Sequence, residues 1–134
     1  MKASNILYII LILGAIGFGI GYYLFNKKVP GLENVTADFE LSADQLFDAF
    51  DQDESAALAK YEGKVIAVKG KASRIKATDS TTNITLYAEN AMAGGINCSF
   101  NSVVHEIKKG DNVTIKGRCQ GFLMDVVLNN CTNK

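Results

Sequence analysis

The chain has 134 residues, with 14 basic and 14 acidic side chains, no net charge, three cysteines and one histidine. That length holds one small domain beside a membrane segment. The balanced charge argues against a protein that coats a polyanion by bulk positive charge.

Residues Ile6 to Phe25 run twenty positions without a charge. At ~1.5 Å per helical residue this run matches the ~30 Å hydrocarbon core of a bilayer. It is too long for the apolar core of a cleaved signal peptide, and its Gly-x-Gly pairs are followed by four more apolar residues. With no cysteine near its end, a lipoprotein signal is not expected either. Residues 1–28 therefore read as an uncleaved single-span anchor. Tyr22, Tyr23, Lys27 and Lys28 form its interfacial belt, and Pro30-Gly31 ends the helix. Lys2 on one flank and Lys27 and Lys28 on the other leave the orientation undecided by charge. Gly17 and Gly21 make a G-x-x-x-G pair through which two anchors could meet in a dimer, although glycine is common in membrane helices.

After the anchor, charge is segregated. From Val29 onward there are 11 Lys/Arg against 14 Asp/Glu, a net of −3. Val29 to Ala59 carries eight acids and no base, and Lys60 to Lys134 has a net of +5. Either the two parts pack on each other or one of them meets a charged partner. Residues 29–41 read as a linker. Residues 42–62 read as a helical lead-in, with a Ser42/Gln45 capping box over an apolar Leu46, Phe47 and Phe50 face. A second helix from about Glu54 to Tyr61 starts at Asp53 and stops at Gly63.

From Lys64 the apolar period becomes two. Ile66, Val68, Gly70 and Ala72 point inward on a long strand with its bend expected at Gly70. A turn at Asp79 leads to a strand from Asn83 to Ala88 with Ile84, Leu86 and Ala88 inward. Gly94-Gly95 opens a third strand with Ile96, Cys98 and Phe100 inward. Asn101 to Lys109 is a short helix or loop. The fourth strand carries Val113, Ile115 and Gly117 inward and turns at Gly121; the fifth runs from Met124 to Asn130. The expected fold is mainly β with short helices. It comprises an N-terminal transmembrane helix, the helical lead-in and, over 63–134, a five-stranded OB-fold barrel.

Several stretches carry a family likeness: Glu54-Ser-Ala-Ala, Lys60-Tyr-Glu-Gly-Lys-Val-Ile66, Asn97-Cys-Ser-Phe100, Lys109-Gly-Asp-Asn-Val-Thr-Ile-Lys-Gly117 and Gly121-Phe-Leu-Met-Asp-Val-Val-Leu128. Across Leu46 to Cys131 the chain resembles the tRNA_anti-like OB-fold family of small membrane-anchored or exported bacterial proteins. The resemblance implies the barrel and its lead-in. It brings no catalytic residues.

Cys98, Cys119 and Cys131 all fall in the barrel. An exported domain would be expected to hold one disulfide among them, whereas a cytosolic one would keep three buried thiols. Strand adjacency favours Cys98 with Cys131, and side-chain alternation favours Cys98 with Cys119. No C-x-x-C pair is present and His105 stands alone, so neither a metal nor another cofactor is expected. Five N-x-S/T triplets, several within strands, read as composition rather than glycosylation sites.

OB barrels bind single-stranded nucleic acid or oligosaccharide on their outer strands. The candidate ligand-binding residues are Lys69, Lys71, Arg74 and Lys76 on the long strand, Tyr87, and Lys116 and Arg118 on the fourth strand. Few aromatic platforms accompany them, which weakens the nucleic-acid reading. Asp125, Glu106 and His105 form no acid–base constellation, so catalysis is not expected. The favoured expectation is a non-catalytic binding or interaction module of the bacterial membrane, with its barrel outside the cytoplasm and a protein or glycan as partner. The alternative is a nucleic-acid- or oligosaccharide-binding OB protein.

Overall fold

The computed structural model describes residues 2–27 and 31–133, in two compact units that divide at Pro30. The first is a single helix, α1 (Ala3–Asn26), with a mean hydropathy of 2.1 over its most apolar window. At 24 residues it is long and apolar enough to cross a membrane. Lys28 and Pro30, expected to flank and stop it, lie outside the described residues.

The second unit contains β1 (Phe39–Ser42), α2 (Ala43–Gln52), α3 (Glu54–Tyr61), β2 (Val65–Ala77), β3 (Thr82–Tyr87), β4 (Gly95–Phe100), β5 (Asn112–Leu123) and β6 (Asp125–Asn133). The sheet order β2-β3-β4-β6-β5 closes on itself because β2 also pairs with β5. This is the five-stranded OB-fold barrel, with β1 added in parallel to β2. Ile66, Val68, Ala72, Ile84, Leu86, Ile96, Cys98, Ile115, Val126 and Leu128 are fully buried inside it.

The bend in β2 falls elsewhere than Gly70. Ala72 pairs with Leu86 and Arg74 with Thr85, so Ser73 is the extra, bulged residue. Its hydroxyl donates to the Thr85 carbonyl at 3.0 Å. Gly70 instead lets α2 approach: a Cβ there would lie 3.0 Å from Ala43 Cβ. Nor does β5 turn at Gly121. It continues to Leu123, and the hairpin reverses at Met124, which has φ 66°. Gly121 marks a slip in the β5–β6 ladder, and paired strand resumes beyond it. Residues 101–111 form a loop, not a helix, held by Val104 N–H to Thr82 Oγ1 at 3.0 Å and by the buried Ile107.

The lead-in forms as its caps require. Ser42 Oγ accepts from Gln45 N–H at 3.1 Å, and Gln45 Oε1 accepts from Ser42 N–H at 3.0 Å. Asp53 Oδ1 accepts from Ala56 N–H at 3.0 Å and starts α3. Helix α2 touches β1, β2, β3, β4 and β6, so it sits over the barrel. Leu46, Phe47 and Phe50 are buried there, and Phe50 stacks on Phe122 at 5.8 Å.

The segment expected as a linker is built into the barrel unit. Leu32 is buried, Asp38 N–H donates to Val65 O at 2.7 Å, and Asp38 Oδ2 accepts from Val65 N–H at 3.0 Å. Along Ile66–Lys69, β2 has β5 on one edge and β1 on the other, so pairing absorbs Phe39, Glu40 and Leu41. The sequence hides this because a four-residue edge strand carries little alternation.

Gly95 opens β4 at φ 146°, where a Cβ would run into the Leu86 carbonyl oxygen. Gly95→Ala is expected to cost about 2 kcal/mol or more, against about 1 kcal/mol for the lost cap in Ser42→Ala. Urea denaturation of the two variants checks both the order and the size.

Candidate binding face

Because β3 and β4 alternate, their outward residues line up across the register with those of β2 and β6. Arg74, Thr85, Asn97 and Val127 make one row, and Lys76, Asn83 and Ser99 the next. Neighbouring strands lie ~4.8 Å apart, so each row spans about 10 to 15 Å. The bulge at Ser73 is what puts both Arg74 and Lys76 outward, since without it the phase set by Lys69 and Lys71 would turn them in. Tyr87, 52% exposed, stands at the end of β3 opposite Gly95.

The centre of the face is polar. Ser99 Oγ donates to Asn83 Oδ1 at 2.7 Å, and Thr85 is buried. Asn97 Oδ1 is buried and has no hydrogen-bond partner among the described residues. Past Asn97 the row turns apolar. Val127 pairs with Gly121, and the two share a mainly apolar groove with Leu58, Phe122 and Leu123, lined also by Glu54 and Gln120. Leu123 and Met124 at the hairpin tip are 83% and 87% exposed. One surface thus runs from two cations through amides and hydroxyls to an apolar groove.

Of the seven candidate residues, the structure brings Arg74, Lys76 and Tyr87 onto this face. Lys69 and Lys71 are exposed on the half of β2 that pairs with β5. Lys69 borders an open cleft with Glu40, Gln45 and Thr114. Arg118 lies across from Val65, and its Nη1 donates to Gly63 O at 2.7 Å. Lys116 does not face solvent. It is 8% exposed, and its ammonium donates to Val35 O at 2.6 Å and Glu33 O at 3.2 Å. It looked outward because alternation puts it on the outer surface, but residues 31–38 cover that surface. The amide and hydroxyl row was missed, although its signal was available as the outward complement of Ile84, Leu86, Ile96 and Cys98.

Asp125 is engaged structurally, with Oδ1 accepting from Gly95 N–H at 3.0 Å. His105 and Glu106 are exposed on the 101–111 loop. Among the described residues no group of three His, Cys, Asp or Glu could hold a metal ion.

A barrel of five strands with α2 laid over it and an open outer face defines an OB-fold protein. The tRNA_anti-like family profile matches residues 1–133, and the chain belongs to that family. Its fold is also that of a crystal structure described as a putative nucleic acid-binding lipoprotein from Klebsiella pneumoniae subsp. pneumoniae MGH 78578. The two chains are 22% identical with a TM-score of 0.60, over 79% of this chain and 99% of that one. No curated protein matches the chain.

Lys116→Ala removes a buried cation and leaves two carbonyls unpaired. It is expected to cost about 1–3 kcal/mol and to speed protease cleavage within residues 31–38. Lys76→Ala, fully on the surface, is expected to change neither; limited proteolysis followed by mass spectrometry compares them.

Proposed function

We propose that this protein is a non-catalytic, membrane-anchored binding module of the bacterial envelope. Helix α1 is its single-span anchor, the barrel lies outside the cytoplasm, and the outer face of β2, β3, β4 and β6 is its working surface. The observation that carries this reading is the graded row from Arg74 through Thr85 and Asn97 to Val127 and the Leu58–Phe122 groove. A face that is charged at one edge and apolar at the other suits a protein segment carrying both acidic and apolar side chains. Anchoring adds to such binding by confining partner and module to one membrane surface, which raises their effective concentration.

The test uses the full chain extracted from native membranes in mild detergent. The wild type is expected to elute in a complex larger than its micelle-bound monomer. Arg74→Glu with Lys76→Glu, and separately Met124→Glu, are expected to release the monomer. A wild-type monomer from native membranes overturns the interaction reading.

A second reading, single-stranded nucleic acid, is favoured by Arg74 and Lys76 on the same face as the exposed Tyr87. It also agrees with the description given to the Klebsiella neighbour. Under it, the purified protein binds a fluorescent single-stranded DNA at low salt, and affinity falls steeply as salt rises. Arg74→Glu with Lys76→Glu would weaken that binding at least tenfold. Absence of low-salt binding removes this reading and leaves the first intact.

A further inference from the structure

The three thiols are all buried, yet the barrel treats them differently. Regular alternation along β6 would keep Val126, Leu128 and Asn130 inward and turn Cys131 out. Instead Asn130 adopts the left-handed conformation at φ 53°, and the β5–β6 ladder slips between Lys116 and Arg118. Cys131 follows into the interior and is 6% exposed. Opposite the slip stands Gly117, where a Cβ would lie 2.6 Å from Cys131 Sγ and 3.0 Å from Leu128 Cβ. A glycine, a left-handed asparagine and a ladder slip therefore act together to bring one sulfur inward.

That sulfur meets another. Cys98 is fully buried on β4, and its register partner on β6 is Leu128. Cys131 Sγ donates to the Leu128 carbonyl at 3.3 Å, so it lies beside the residue that faces Cys98 across the β4–β6 ladder, while Cys98 Sγ donates to Ile96 O at 3.9 Å. Cys119 pairs with Leu128 from the other side. Cys98 and Cys119 are thus two strands apart, about 9 to 10 Å, beyond the ~7 Å that a disulfide spans. The alternation argument for that pair fails because it ignores Leu128 between them.

We propose that Cys98 and Cys131 are a disulfide-forming pair that ties β4 to the C-terminal strand β6, with Cys119 remaining a free thiol. The bond forms by exchange with a disulfide donor, such as oxidised glutathione or an envelope disulfide oxidoreductase. One cysteine thiolate attacks the donor's S–S bond, giving a mixed disulfide and one donor thiol. The second cysteine then attacks the mixed disulfide and releases the other donor thiol. Two electrons and two protons leave the chain, and the donor is reduced to two thiols. Mutual contact and burial hold the Cys98 pKa well above its ordinary value, and burial pushes Cys119 up to about 11. In the closed barrel these thiols stay protonated and unreactive near neutral pH. Burial also closes both sulfurs of the pair to a donor once the barrel is shut, so exchange takes place while the barrel is still open during folding, and closure then shields the bond.

The test unfolds and reduces the full chain, refolds it in detergent micelles with reduced and oxidised glutathione, and alkylates it in denaturant without reductant. The expected product carries one alkyl group, on Cys119, and yields a joined peptide containing Cys98 and Cys131. Cys119→Ser is expected to form the same bridge, and adding reductant should lower the urea midpoint of both proteins. In Cys98→Ser, both remaining cysteines are expected to alkylate and the midpoint to ignore reductant. Should Cys98→Ser fail to fold, mapping of the wild type and Cys119→Ser decides alone. Three alkylated cysteines after oxidative refolding, or a bridge that includes Cys119, overturns the proposal.

Discussion

The structure turns on β2 serving three partners. Its first half pairs with β5 through Val65–Lys71 and closes the barrel, while its second half pairs with β3 through Ala72–Ala77. At ~3.3 Å per residue its thirteen positions extend about 40 Å, enough to pass from one sheet edge to the other. The half that β3 does not reach would expose a row of unpaired N–H and C=O groups, an open edge prone to mispairing. Strand β1 covers that edge in parallel, and Asp38 completes the coverage by bonding Val65 with both its backbone and its side chain. The bulge at Ser73 resets the alternation between the two halves, so one strand feeds the core on both sides of its bend and still presents Arg74 and Lys76 outward.

Of the two readings of the charge segregation, packing of the parts on each other has support inside the barrel unit, through backbone and amide donors to the acids. Acids between Val29 and Ala59 accept hydrogen bonds there, among them Asp38 from Val65, Asp44 from Glu89 N–H, Asp48 from Asn90 Nδ2 and Asp53 from Ala56. Bonds to a charged acceptor are among the stronger kinds: Asp44 and Asp48 fix the lead-in to the β3–β4 loop, Asp38 fixes the segment before it to β2, and Asp53 caps α3. Lys116 does the reverse, donating to the backbone of the acidic segment. Lead-in and barrel complement each other within one chain. Net charge over either half is therefore a poor guide to the ligand.

What was legible in the sequence followed strict periodicity. Ile84, Leu86, Ile96, Cys98 and Ile115 were readable as core because each strand alternates without interruption around them. The Ser42/Gln45 capping box was readable because it is a local device with a fixed spacing. What was not legible depended on breaks in phase or on distant cover. The burial of Cys131 depends on the slip at Asn130, which no composition signal announces. The Gly121 turn was misread because a glycine in a ladder slip looks like a glycine in a hairpin. Lys116 was misread because a strand pattern shows which face a side chain takes but not what lies over that face. The polar row was half legible: its positions follow from alternation, while its continuity from Arg74 to Val127 needs the strand order.

That continuity limits what the outer face can hold. A ligand recognised by charge alone would sit on Arg74 and Lys76 and leave the Val127–Phe122 groove and exposed Leu123 in water. An apolar ligand alone would leave the two cations and the amide row unengaged. Between them lies Asn97, whose buried Oδ1 finds no partner among the described residues. A buried acceptor left unpaired costs about 1–3 kcal/mol, a cost the chain carries at the centre of this face between its charged and apolar ends. Under the proposed reading, the order of chemistry along this face calls for a matching order along the ligand: negative charge, then a polar group, then an apolar group, spaced over about three strands. Under that reading, a ligand with the same groups in another order would satisfy one end and desolvate the other, which is how an outer barrel face can be selective.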